Sequence, residues 1–216
     1  MKGLITVATI FLLFISCKKD RLTANGDMKT ETRNPGTFTG VRSSGSNAIH
    51  ISYGNECKVE LKGSSNLIPY FKTEVVGSRL ELSYKNASVW RDDLEIYVTL
   101  PVIKSINLSG SSEVDVKGNF PLLAFFNVDI SGSGEVKVAD AMTADEIDVT
   151  VSGSGEVDLE RLSSRFADAS ISGSGDVRVK VTERLKASIS GSGKVYYTGN
   201  PVVQSNISGS GKLIKF

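Results

Sequence analysis

Cysteine, histidine and tryptophan are nearly absent, with two, one and one in 216 residues. Cys57 alternates in phase with Val59 and Leu61, the place of a small buried hydrophobe. His50, in Ala48-Ile49-His50-Ile51, is expected to face outward from a strand. If Cys17 carries a lipid, one imidazole and one remaining thiol make no persuasive zinc site or Cys-His nucleophile pair, so no metal or cofactor is expected and the chain does not read as an enzyme. An excess of one charge is missing as well. Lys+Arg 25 against Asp+Glu 24 gives a formal net charge of +1, which removes the bulk electrostatic case for nucleic acid. The longest apolar run, Leu4 to Ile15, falls short of the roughly 20 residues of a membrane-spanning helix.

What the chain has is a repeat. Ser-Gly-Ser-Gly or a close variant, followed by a charged and then an aliphatic residue, starts at Ser109, Ser131, Ser152, Ser172, Ser190 and Ser208, at intervals that shorten from 22 to 18 residues. A unit this short cannot bury a core alone and must stack on its neighbours, and it is too short for a propeller blade of roughly 40 residues. Alternating strands lead into the corners, as in Phe126-Asn127-Val128-Asp129-Ile130 and Ile147-Asp148-Val149-Thr150-Val151, and others leave them, as in Glu135-Val136-Lys137-Val138. Period-two alternation buries one face of each strand. Aligned on the tetrapeptide, Leu108, Ile130, Val151, Ile171, Ile189 and Ile207 form one inward column. Ile106, Val128, Val149, Ala169, Ala187 and Ser205 form a second, shrinking toward the C-terminus. Glycine supplies the corner and leaves room for the coil above. The pattern predicts an all-β chain, a right-handed parallel β-helix with about six Ser-Gly-Ser-Gly corners that tapers along its length.

The residue after each corner is Glu113, Glu135, Glu156, Asp176, Lys194 and then Lys212, so one outward column runs from acidic to basic. A solvated face is the plain reading and a weak cation or polar-ligand stripe the sharper one. Calcium wants six to eight oxygens, and Val136 stands where a calcium-binding repeat would place aspartate. Trp90 falls in an expected loop, Asn86 to Asp93. A lone tryptophan usually lids a core, and the alternative is an exposed ring that stacks on a sugar. Glu113, Glu135, Glu156, Asp176 and Trp90 are therefore the candidate surface-contact residues. For an enzyme, Glu113, Glu135, Asp115 and Lys137 would be the groups to test, although a regular outward ladder seldom desolvates a carboxylate.

The start reads as a leader. Met1-Lys2, the apolar run and Phe14-Ile15-Ser16-Cys17 resemble a lipoprotein signal ending in a lipobox, which makes Cys17 the expected lipidation site, the alternative being an ordinary signal peptide in which Cys17 is incidental. Residues 1–16 are then the signal peptide, 17–36 a flexible tether and 37–216 the solenoid domain, irregular over 37–101 and repetitive over 102–216. Lys18-Lys19-Asp20 is similar to the charged signal that marks some lipoproteins for the outer face of the outer membrane. Strands are expected at Ala48 to Ser52, Cys57 to Leu61, Phe71 to Val76, Leu80 to Tyr84 and Leu94 to Leu100, continuing the core and covering one open end. The other end shows no capping helix after Ser208, so its edge is a candidate contact for a second copy.

From Phe38 to Phe216 the chain resembles the head GIN domain family of autotransporter adhesins. The elements that carry the likeness are Gly54-Asn55, Gly77-Ser78-Arg79-Leu80-Glu81-Leu82, Leu94-Glu95-Ile96-Tyr97-Val98-Thr99-Leu100-Pro101, Ile106-Asn107-Leu108-Ser109-Gly110-Ser111 and the serial corners. The resemblance implies a β-solenoid and an adhesive role, without implying any particular binding residue. The expected function is that of a lipid-anchored, non-catalytic surface-binding or adhesion module in the cell envelope, held to the membrane by its lipid and contacting a glycan or protein on another surface. A polysaccharide-processing β-helix enzyme and a periplasmic structural or envelope-stress partner are the alternatives.

Overall fold

The computed structural model describes residues 20–216, so the expected signal peptide and Cys17 lie outside the described residues. The first strands are β1 (Asp20–Thr23), β2 (Met28–Arg33), β3 (Gly40–Ser43), β4 (Ala48–Tyr53) and β5 (Lys58–Ser64). After a short 3-10 turn at Ile68–Tyr70 come β6 (Phe71–Val76), β7 (Arg79–Tyr84), β8 (Ala87–Trp90) and β9 (Glu95–Leu100). The repeat region contributes β10 (Ser105–Gly110), β11 (Glu113–Lys117), β12 (Leu123–Gly132), β13 (Glu135–Val138), β14 (Met142–Gly153), β15 (Glu156–Gly173), β16 (Asp176–Gly191), β17 (Lys194–Thr198), β18 (Val202–Gly209) and β19 (Lys212–Lys215). Among the described residues, β1 and β8 form a 2-stranded sheet and the other strands one 17-stranded sheet.

Parallel pairing of β10, β12, β14, β15, β16 and β18 stacks Leu108, Ile130, Val151, Ile171, Ile189 and Ile207 in register, with Ile106, Val128, Val149, Ala169, Ala187 and Ser205 beside them. Both columns are the ones that the alternation predicts. Beyond the corner, Val114, Val136, Val157, Val177, Val195 and Leu213 form a third. Most of these side chains are buried completely, and they belong to one continuous core. On the last rung Val203 and Ile207 are uncovered and exposed.

The stack starts earlier than the visible repeat. β3 and β4 pair in parallel with β10 and β11, and on their other side with β7 and β9. Ser44-Gly45-Ser46-Asn47 is thus a further corner, beneath the one at Ser109. The inward position of Leu108 is held there by Ser43, which is buried and meets the buried Ser112 hydroxyl at 2.8 Å. A buried hydroxyl without a partner would be costly, and each of these serves the other. Chain order and spatial order therefore differ, because the segment after β4 leaves the stack, builds the end rung from β7 and β9, and returns to the open side of β3 and β4 at β10.

The end rung is closed by antiparallel strands, β6 on β7 and β5 on β9, with β2 on β5. This covers the edge, as expected of the irregular half. The expectation of a flexible tether over 17–36 is corrected where residues are described. Met28–Arg33 is a strand of the main sheet, and Asp20–Thr23 pairs in parallel with Ala87–Trp90. Backbone pairing and Arg33 hold the segment, since the Arg33 guanidinium donates to the carbonyls of Phe71 at 2.6 Å and Ile68 at 2.9 Å.

Val149 is fully buried, whereas Asp148 faces outward beside it. Val149→Asp should cost well beyond the roughly 1.5–3 kcal/mol of the lost burial, because it adds an unpaired carboxylate. Asp148→Ser should be neutral or slightly stabilising at neutral pH, because loss of hydration and the like charges of Asp168 and Asp129 push the Asp148 carboxyl above its usual range. Urea denaturation of the two variants checks the inward register, and equal losses would contradict it.

Candidate surface-contact site

The corner geometry positions the outward side chains. At every corner the amide of the second serine donates to the carbonyl of the glycine one rung below, as from Ser133 to Gly110, Ser154 to Gly132 and Ser174 to Gly153 at 2.8–2.9 Å. The next strand then departs in the same register on each rung, so Glu113, Glu135, Glu156 and Asp176 fall in one outward column, continued by Lys194 and Lys212. The structure brings four of the five candidate contact residues together in this way. Trp90, the fifth, is elsewhere, on β8 beside the end rung.

The neighbouring outward column tempers the acids. Asp115, Lys137, Asp158 and Arg178 alternate in sign, and Arg178 donates to Glu156 and lies 3.8 Å from Glu160. Glu135 forms no ion pair among the described residues, and Lys137 offsets its neighbours' charge only from a distance. Loss of hydration at the ladder, then the like charges of Glu156 and Glu113, push its carboxyl above the usual glutamate range. Asp115 is 3.8 Å from His50, whose ring stacks on Tyr97 at 4.8 Å between centroids, so His50 faces outward as expected. Among the described residues no group of three or more His, Cys, Asp or Glu side chains is arranged to hold a metal ion. The four groups named for an enzyme sit as register pairs, Glu113 with Glu135 and Asp115 with Lys137, along the open ladder. Cys57 is half-buried against the core, with its Sγ 3.5 Å from the Phe38 carbonyl.

Trp90 departs from both expectations made for it. It ends a strand and not a loop, and its ring is 70% exposed and so no lid on the core. The chain before and after β8 turns through Asn86 (φ 47) and Arg91 (φ 55), the two non-glycine residues with positive φ among those described. A hydrogen-bond network fixes the return. Asp92 accepts from Tyr84 at 2.7 Å and Asn47 at 2.8 Å, and Asp93 accepts from the Ser64 amide at 2.9 Å and hydroxyl at 2.6 Å. Burial, reinforced by Asp92, pushes the Tyr84 phenol far above its usual value, so it stays a donor. Ser64 in turn accepts from the Gly26 amide at 2.9 Å, which ties the turn after β1 into the same network. A cleft of about 630 Å³ between this network and the first rungs is lined by residues including Asn47, Arg91, Glu95 and Glu113. Sequence alone signals none of this, because the contributing residues lie in four separated segments.

These features define a class, a parallel β-solenoid closed at one end by antiparallel strands and carrying its charge on outward ladders. Over residues 37–201 the chain matches the family described as "Putative auto-transporter adhesin, head GIN domain", and it belongs to that family. A crystal structure from Bacteroides fragilis described as a "putative adhesin" is similar with a TM-score of 0.75 at 18% identity, covering 90% of this chain and 100% of that one. One from Parabacteroides distasonis, described as a "Putative lipid binding protein", has a TM-score of 0.56 at 25% identity, covering 91% and 100%. Another "putative adhesin", from Parabacteroides merdae, has a TM-score of 0.57 at 18% identity, covering 91% and 99%. No curated protein matches.

The raised Glu135 carboxyl has a consequence for stability. The folded state keeps the proton to higher pH than the unfolded chain, so the stability tied to protonated Glu135 is present in acid and lost as pH rises through the raised value. Glu135→Gln should remove that fall, leaving the variant the more stable protein at neutral pH. Urea midpoints measured across the carboxylate range and up to neutrality check this. An unaltered pH profile in the variant would mean that the column does not concentrate charge.

Proposed function

We propose that the protein is a non-catalytic surface-binding or adhesion module of the cell envelope, held by a lipid on Cys17. The observation that carries the binding reading is the open, regular ladder itself. Its acids are spread along the solenoid at rung spacing and partly neutralised by Lys137 and Arg178, an arrangement suited to contact over an extended surface and poorly suited to a desolvated reaction centre. Family membership, with its adhesin description, supports an envelope location and a binding role. The lipobox-like Phe14-Ile15-Ser16-Cys17 supports the anchor, and Lys18-Lys19-Asp20 supports export to the outer membrane with outward display. The description of the Parabacteroides distasonis structure as lipid binding is compatible with work at a membrane. Glu113, Glu135, Glu156 and Asp176 form the proposed contact stripe, with a glycan or protein on another surface as ligand.

Cells expressing the chain should incorporate labelled palmitate, and Cys17→Ala should abolish the label and leave the uncleaved precursor. Persistent labelling would contradict the anchor. Purified full-length protein, applied to a glycan array and to whole cells, should bind at least one surface and should lose that binding when Glu113, Glu135 and Glu156 are changed together to Gln. Unchanged binding in the triple variant would remove the stripe.

A further inference from the structure

The two-stranded β1–β8 ribbon is built into the capped end of the solenoid and serves no part of the core. Its register sets Arg21 beside Ser88 and Thr23 beside Trp90, and all four side chains are exposed. Leu22 and Val89 alternate to the more sheltered side. The ribbon is held firmly. Two left-handed residues bracket β8, Asp92 and Asp93 tie down its return, and the Asn66 side chain donates to the Thr23 carbonyl at 2.8 Å. A non-glycine residue seldom holds such a φ unless its surroundings impose it. The result is a rigid corner from which the single tryptophan of the chain projects.

Its place relative to Cys17 gives this corner a meaning. Only Lys18 and Lys19 separate Cys17 from β1, and three extended residues reach roughly 10 Å. A lipid on Cys17 therefore keeps the Asp20 end of the ribbon within about the depth of a headgroup layer from the bilayer, and Trp90, beside Thr23, within roughly 20 Å along the chain. Indole rings favour that layer, where an apolar ring and a polar N–H are both satisfied. Arg21 and Arg91 add positive charge beside Trp90, and neither forms an ion pair with a carboxylate among the described residues. Such charge suits anionic headgroups.

We propose that the outer face of the β1–β8 ribbon is a foot that rests on the phospholipid headgroups of the membrane carrying the Cys17 lipid. The inference rests on the lipid anchor proposed above. It sets the capped end on the bilayer and the β18–β19 end away from it, so that the acidic column rises from the membrane and the solenoid stands on a fixed base in place of a loose tether.

The single tryptophan makes the test direct. Full-length protein purified in detergent is reconstituted into phosphatidylcholine vesicles containing phosphatidylglycerol, with the phosphatidylcholine brominated either near the headgroup or near the chain end. Flotation and palmitate label are scored on the same samples. The expected result is a blue-shifted Trp90 emission, quenched more by bromine near the headgroup than by bromine near the chain end. Changing Arg21 and Arg91 together to Glu should lessen the quenching while flotation persists. Floating, labelled protein with an unshifted and unquenched emission would overturn the foot and leave the anchor standing. Protein that neither floats nor carries label would overturn both. An emission shift produced by soluble oligosaccharide and not by vesicles would overturn the foot in favour of a sugar-stacking platform.

Discussion

One contact governs the rest of the molecule, the approach of backbone to backbone at the glycine corners. From Gly110 to Gly209 each positive-φ corner glycine sits so that a Cβ would fall within 3.0 Å of the carbonyl oxygen of the glycine beneath. That same carbonyl receives the serine amide from the rung above. A side chain there would push the rungs apart and break the bond, so the hydrogen-bond ladder and the absence of Cβ are one constraint. Six successive repetitions hold the parallel strands of the repeat in one register. A one-residue slip on any rung would exchange its inward and outward faces.

The function proposed here follows from that register. Because the corners stack, residues at equal distance from them stack too, and a chain with a net charge near zero acquires a local acidic column at Glu113, Glu135, Glu156 and Asp176. In the proposed role the regular spacing would offer a broad contact surface, with its charges spread evenly along the ladder. Polarity along the solenoid comes from its unlike ends. Antiparallel strands close one, where Tyr84, Asp92, Asp93 and Ser64 lock the ribbon that bears Trp90. The other presents β18 and β19 with their apolar residues partly uncovered.

The repeat half was legible because each of its signals is local. Alternation identifies the inward columns, and the serial glycines set their register. The N-terminal strands were legible one by one from the same alternation, but their arrangement was not. The rung at Gly40–Tyr53 hides because Asn47 occupies the position that glycine holds in the later corners, and because Ser43 takes an inward position normally filled by an aliphatic residue. Its stability depends on Ser112, far along the chain. Nothing local says that this rung lies between two segments that both follow it. Met28–Arg33 reads as tether because its residues are mostly polar, and it is held by β5 and by Arg33 without contributing to the core. Trp90 was misplaced for a related reason, since the habit of burying tryptophan applies to elements that face a core, and β8 does not.

The glycine constraint can be tested apart from backbone conformation. Neither Gly45 nor Gly175 has a left-handed φ. A Cβ on Gly175 would stand 2.5 Å from the Gly155 carbonyl oxygen and 2.6 Å from Val151, whereas one on Gly45 would meet only the Asn47 side-chain oxygen at 3.2 Å. Both changes to alanine stiffen the unfolded chain alike, so the difference between them isolates the contact between rungs. In urea unfolding Gly45→Ala should stay within about 1 kcal/mol of the parent protein, because the Asn47 side chain alone has to give by a few tenths of an ångström, and Gly175→Ala should lose about 1–3 kcal/mol more than that, the usual cost of overpacking. Equal stabilities for the two variants would contradict the account.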